Sequence, residues 1–372
     1  MTEPTDIKET DKYEPVEVNY YSFKGIDSLY QDYDEYLEFH NNVRLERVNL
    51  CVYQVLNDGK YPFLQFLLLN EPGMLSFISI ENNNYIDNSK LIEFSKNYLS
   101  TCLNLTQNVL NHPYIKDENI EYRGFYIYNN EMYLFLDVTK YQLLISDVYR
   151  ENMIWFALVD EIVNVRMLSG IPISPNVVEF FSLNSQFIFL YDTNGDKYEI
   201  PSVAYVIAPE DKTNFTFIFG VSSSKSESIF GPYYYFTNYE NCLRELKTLK
   251  QKAVVEKKEP KMGIIRFGIF LEKTKVVENL ETDDNDESDI KKERLDDDSC
   301  DMNYERLTIR ISDHDGRWTE KYNSILLGNV RLDDGSLMKN VPIICVKEYE
   351  QQYPLSYHFI GKNKYNDKLS IL

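Results

Sequence analysis

The sequence predicts an α+β protein, and three observations carry that prediction. Short apolar and aromatic runs bounded by turn residues recur along the chain, a few stretches space their apolar residues as helices do, and no internal repeat or heptad is present. The expected order is a polar tail over residues 1–19, an N-terminal α/β module over 20–150, and a second module over 151–372. The second module carries a disordered acidic insertion at 279–302.

Strands are expected at Asn49 to Leu56, Phe63 to Leu69 and Leu75 to Ile80, which are rich in branched and aromatic residues and separated by Asn-Asp-Gly and Glu-Pro-Gly turns. Ser89 to Leu110 reads as a helix, because Leu91, Ile92, Tyr98, Leu99, Cys102, Leu103 and Val109 recur at helical spacing, and Pro113 ends it. Gly124 to Val138 alternates around Asn129-Asn130 and reads as a hairpin. Asn152 to Leu168 is expected to be helical, with Trp155, Leu158, Val159, Ile162 and Val165 on one face; the module boundary is placed at Arg150.

Beyond it the chain turns strand-rich. Strands are expected at Phe187 to Tyr191, Tyr198 to Val206 and Phe215 to Phe219, the first two joined at Asp192-Thr193-Asn194-Gly195. An aromatic strand within Phe230 to Thr237 is followed by a helix that Asn238 can cap and whose apolar face holds Cys242, Leu246 and Leu249. Gly263 to Leu271, Arg306 to Ser312, Tyr322 to Leu327, Pro342 to Lys347 and Leu355 to Ile360 complete the set.

Composition narrows the function classes. With 39 Lys and Arg against 59 Asp and Glu among 372 residues, the formal net charge is −20, which opposes binding to nucleic acid phosphate or an anionic bilayer. Twelve units of that charge lie in two segments, Met1 to Asn19 at −4 and Glu281 to Asp301 at −8. Both are too polar and too charged to bury a core. The acidic start lacks an export signal and no apolar run is long enough to cross a bilayer, so an intracellular, cytoplasmic protein with a protein partner is expected. Five widely spaced cysteines without a CxxC pair argue against a disulfide framework or zinc site, and four of them read as small core residues.

Several chemistries lack their signatures. Asp192, Asn194 and Asp196 have the spacing of a calcium loop, but Lys197 and Val203 stand where Gly and Glu are needed, so a hairpin turn is expected. Asp313-His314-Asp315-Gly316 also reads as a turn. No GxxxxGK[ST], GxGxxG, HExxH or GxSxG occurs, and only four histidines are present. No metal is expected.

The most informative segment is Phe230-Gly231-Pro232-Tyr233-Tyr234-Tyr235-Phe236-Thr237: either a half-buried strand or a ring platform for a flat ligand. It resembles the G-x-G-x-Y-F-A element of poly(ADP-ribose) polymerase-like ADP-ribosyltransferases. Tyr235 takes the place of the tyrosine that stacks on nicotinamide, Phe236 and Thr237 those of Phe and Ala, and Tyr233 that of the second glycine. Further segments fall in the family's order. Met262 to Glu272 resembles the strand after the helix, Lys321-Tyr322-Asn323-Ser324-Ile325 the Y-D-S-V element, and Gln351-Gln352-Tyr353-Pro354-Leu355-Ser356-Tyr357 the Q-x-Y-P-x-Y close. The resemblance spans Tyr198 to Ile360, and the whole chain also resembles uncharacterised proteins of large DNA viruses, which implies a virion or the host cytoplasm.

The resemblance implies a split-sheet ADP-ribosyltransferase-like module with NAD as cofactor if active, held by Tyr235, Tyr233, Gly231, Phe219 and Gly220. The family's ribose-binding His has no counterpart, since Val206-Ile207 and Phe219-Gly220 occupy the candidate positions. Pro342 to Val346 carries no carboxylate where the family has Glu or an aliphatic residue. The expected function is therefore a degenerate, non-catalytic interaction or structural protein. The alternative is a divergent NAD-dependent mono-ADP-ribosyltransferase that modifies a protein or nucleic acid.

Overall fold

The structure, a computed structural model, describes residues 21–39, 45–56, 61–71, 73–81, 88–107, 116–141, 154–209, 233–255, 262–281, 308–310, 317–330 and 343–359. It is a mixed α and β protein, mostly strands with few helices, arranged in several sheets.

After strand β1 (Tyr21–Ser22) and helix α1 (Tyr33–Phe39), a seven-stranded sheet forms from β2 (Arg47–Leu56), β3 (Phe63–Glu71), β4 (Met74–Ser76), β5 (Ile78–Glu81), β6 (Glu121–Tyr128), β7 (Glu131–Asp137) and β8 (Ile154–Leu158), with helix α2 (Asn88–Gln107) between β5 and β6 in the chain. β2 lies parallel to β7 and antiparallel to β3 and β5. Nine of its ten residues are buried, because both faces of the sheet are covered. On one face Leu99 and Leu103 of α2 pack on Val48, Leu50 and Leu134. On the other, Val177, Phe180 and Phe181 of helix α3 pack on Tyr53, Phe66 and Tyr133; α3 (Pro175–Leu183) follows the short strands β9 (Met167–Leu168) and β10 (Ile171–Pro172).

β11 (Tyr191–Asp192) returns to pair with β1. An eight-stranded sheet then forms from β12 (Ser202–Pro209), β13 (Tyr233–Phe236), β14 (Met262–Ile269), β15 (Thr274–Glu281), β16 (Thr308–Arg310), β17 (Ser324–Val330), β18 (Ile343–Val346) and β19 (Gln352–Phe359), in spatial order β16-β15-β17-β18-β13-β12-β14-β19. Helix α4 (Tyr239–Val255) places Cys242 and Leu246 on one face of it, in a core that also takes Leu56, Phe63 and Leu158 from the first sheet. The two sheets meet through this shared core.

Local signals account for most elements. Asn129 and Asn130 both have positive φ, 48° and 59°, the left-handed pair a two-residue hairpin turn needs between β6 and β7. Asn238 Oδ1 accepts hydrogen bonds from the Glu240 and Asn241 amides at 2.8 and 3.3 Å, capping α4 as expected. Asn238→Ala is expected to cost about 1 kcal/mol of unfolding free energy, read from urea unfolding, the usual loss for such a cap. Asp192 Oδ1 accepts from the Asn194 and Asp196 amides, so this acidic cluster is a turn. Cys51, Cys242 and Cys345 are buried in apolar cores, where desolvation pushes their thiols up.

Other expectations change. Asn152 to Leu168 is not one helix: its described part begins with strand β8, all five residues buried, and continues as a π-helical turn over Glu161–Val165. An uninterrupted apolar run has no polar face to set a period, so helical and fully buried strand patterns coincide there. Leu75 to Ile80 divides at Phe77 into β4 on β3 and β5 on β2. In Phe187 to Tyr191 only Tyr191 is strand, the first residue of β11, while Phe187 closes a 3-10 turn over Ser185–Phe187; β12 starts at Ser202. The first layer takes in residues on both sides of Arg150, because β8 pairs with β3 and α3 packs on the same layer; the eight-stranded sheet begins at Ser202. Residues 279–281, expected in the acidic insertion, complete β15 and pair with β16; residues 282–302 lie outside the described residues. Residues 1–19, Phe215 to Phe219 and Asp313 to Gly316 lie outside the described residues.

Candidate functional site

β13 runs between β12 and β18 in the eight-stranded sheet, with Tyr235 opposite Ile344. Alternation along the strands sends Tyr235 to the face opposite α4, beside Ala204, Ile265, Phe267, Ile344 and Val346, with Val206 half-buried against them. The small side chain of Ala204 on β12 leaves room for a ring to lie across the sheet. Tyr235 uses that room: its ring meets Phe267 of β14 edge to face at 5.3 Å, and its hydroxyl donates to Gln352 Oε1 on β19. The side chain is 0% exposed.

The start of β19 is equally structural. Gln351 donates from Nε2 to the Phe270 carbonyl at 2.9 Å, while its Oε1 accepts from the Glu348 amide at 2.9 Å in a capping box. Its own carbonyl accepts from the Phe270 amide, and Tyr353 packs edge to face on Phe63 of the first sheet at 5.1 Å. The segment Gln351 to Pro354 thus ties a strand end to two neighbours. At the same rim Glu199 accepts from the Leu271 and Glu272 amides, and burial raises its carboxyl.

Of the residues expected to hold a cofactor, Tyr235 is wholly inside the sheet's apolar face. Tyr233 is placed on β13 opposite Val346. Gly231, Phe219 and Gly220 lie outside the described residues. Val206, at the position considered for the family's His, shares Tyr235's face, and so do Ile344 and Val346 from the stretch considered for its Glu. The structure therefore brings these three positions together beside Tyr235, among Ala204, Ile265 and Phe267. No group of three or more His, Cys, Asp or Glu among the described residues is placed to hold a metal ion. No helix among them is long and apolar enough to cross a membrane.

The sequence reading passed over a buried charge pair where the sheets meet. Arg266 on β14 and Glu161 after β8 are 4% and 0% exposed, with Nη1 and Oε1 3.5 Å apart. The visible signal was a lone arginine inside the apolar run Gly-Ile-Ile-Arg-Phe-Gly-Ile-Phe. Comparison of the chain with protein-family models, with curated proteins and with solved structures finds no match in any of the three.

Proposed function

We propose that this chain is a non-catalytic interaction or structural protein whose eight-stranded sheet is a degenerate relative of the ADP-ribosyltransferase fold. The four segments that resemble that family's motifs fall on β13, β14, the start of β17 and β19, all strands of this one sheet. The observation that carries the non-catalytic reading is Tyr235. A ring that stacks on nicotinamide needs one open face, and here the ring is covered and its hydroxyl engaged within the protein. Around it stand Val206, Ile344 and Val346, where the family's chemistry calls for groups that bind ribose and stabilise charge. The net charge of −20 favours a protein partner over nucleic acid.

Titration of the full chain with NAD tests the reading. No shift in melting temperature at millimolar NAD is expected, whereas a ligand at 100 times its dissociation constant would stabilise by about 2.7 kcal/mol. A clear shift would show that NAD binds and overturn the covered-site reading, and transfer of labelled ADP-ribose by the native chain would establish the mono-ADP-ribosyltransferase instead.

A further inference from the structure

β8 is an edge strand by pairing and an interior strand by burial. It bonds to β3 on one side, through Gln65 to Leu69, and all five of its residues are buried. Backbone groups at alternate residues of a strand point the same way, so Phe156 and Leu158 offer theirs along one edge. There the Phe156 carbonyl accepts from Arg266 Nη2 at 2.9 Å, and the Leu158 amide donates to Glu161 Oε2 at 2.8 Å. Two charged side chains thus meet the edge where another strand would otherwise lie, and they face each other.

The two come from different layers. Arg266 belongs to β14 in the eight-stranded sheet, and Glu161 opens the π-helical turn that follows β8. That turn ends at Arg166 in the left-handed region, φ 60°. Its neighbour Asp160 accepts from the Val203 amide of β12 at 2.9 Å, a second polar bond between the layers. Tyr61 adds a third, donating from its hydroxyl to Glu272, and rings pack around these bonds: Tyr61 stacks on Phe270 at 4.6 Å, and Phe63 meets Phe270 and Tyr353. Apolar contact attracts two surfaces without choosing one alignment, while a buried ion pair is satisfied in only one.

We propose that Arg266 and Glu161 form a clasp that closes the outer edge of β8 and couples the two sheets, so that they open and unfold as one unit. The proposal does not rest on the assignment of function above. The chain's two tryptophans report the layers separately, Trp155 on β8 and Trp318 in the core beneath α4. In the native chain, urea unfolding read at each tryptophan, in Trp318→Phe and Trp155→Phe backgrounds, is expected to give one coincident midpoint. The Leu158 amide is expected to exchange hydrogen only through global opening. The double variant Glu161→Leu/Arg266→Met removes both charges and leaves neither buried alone, so it is expected to fold. It should lose at least tenfold of the protection at Leu158 and separate the two tryptophan midpoints. Arg266→Met alone removes the guanidinium that faces the buried Glu161 carboxylate and is expected to unfold at lower urea than the double variant. A double variant with native protection at Leu158 and coincident midpoints would overturn the clasp. So would a native chain in which the Leu158 amide exchanges as fast as a solvent-exposed edge amide, a result that needs no variant.

Discussion

Tyr235→Ala is expected to destabilise the full chain by about 3–5 kcal/mol, the range for deleting a large ring from a packed core. The side chain spans from β13 across Ala204 to Phe267 and Gln352, so its loss leaves a void that strand backbones on either side cannot close. Tyr235→Phe keeps the ring and removes the donor to Gln352, and is expected to cost about 1 kcal/mol, as a buried hydrogen bond does. Urea unfolding monitored at Trp318, which packs in the core beneath α4 on the other face of this sheet, measures both. The result separates two roles for the residue. A tyrosine kept for stacking on a ligand stands at a cleft and its removal changes stability little; a loss of under 1 kcal/mol for Tyr235→Ala would return the residue to that role.

A loss of similar size, about 3–5 kcal/mol, is expected for Phe180→Ala in the first layer. Phe180 on α3 stacks on Tyr133 with ring centroids 3.8 Å apart and 9° between planes, and its edges meet Phe77, Phe181 and Tyr128. Phe187 lies parallel to it at 5.9 Å. Such contacts add to the area a ring buries, and removing the central one affects every pair at once. Leu183, three residues on in the same helix, is 65% exposed. Leu183→Ala is the matched control, with a change within about 0.5 kcal/mol expected at a surface position. Unfolding monitored at Trp155 reads the pair, and equal losses at the two positions would contradict the placement of α3.

The excess of tyrosine and phenylalanine takes its meaning from these clusters. Tyr30, Tyr33 and Tyr36 surround Phe125, and Tyr53, Tyr126, Tyr128 and Tyr133 line the face beneath α3. Where hydroxyls reach a polar partner the ring is still core: Tyr53 donates to Asp137, and burial together with that carboxylate holds its phenol well above the ordinary value. Tyr133 donates to Glu131 in the same way. Tyrosine serves here as a large apolar ring with a polar end to satisfy at the sheet margin.

Strands β2, β3 and β14, helix α2, the Asn129-Asn130 hairpin and the Asn238 cap were legible because each depends on residues within one turn or a few positions of one another. β8 was not, since an apolar run fits a buried strand and a buried helix alike until its neighbours are known. The layer to which the chain after Arg150 belongs was not legible for a related reason. A composition shift marks where the chain changes character, but β8 and α3 belong to the first layer through pairing with β3 and packing on Phe66 and Tyr133.

The candidate site divides in the same way. That an aromatic strand precedes a capped helix, and that no histidine stands between His112 and His314, is written in the residues themselves. Whether Tyr235 faces a ligand or a core depends on Gln352, 117 residues away, and on Phe267 two strands over. The same holds for Arg266, a solitary charge in an apolar run until the Phe156 carbonyl, 110 residues earlier, is brought to within 2.9 Å. Element type follows from short-range sterics and capping, which the chain carries locally. Burial of a particular ring or charge follows from what the far chain places over it, and that is set when the two sheets close on each other.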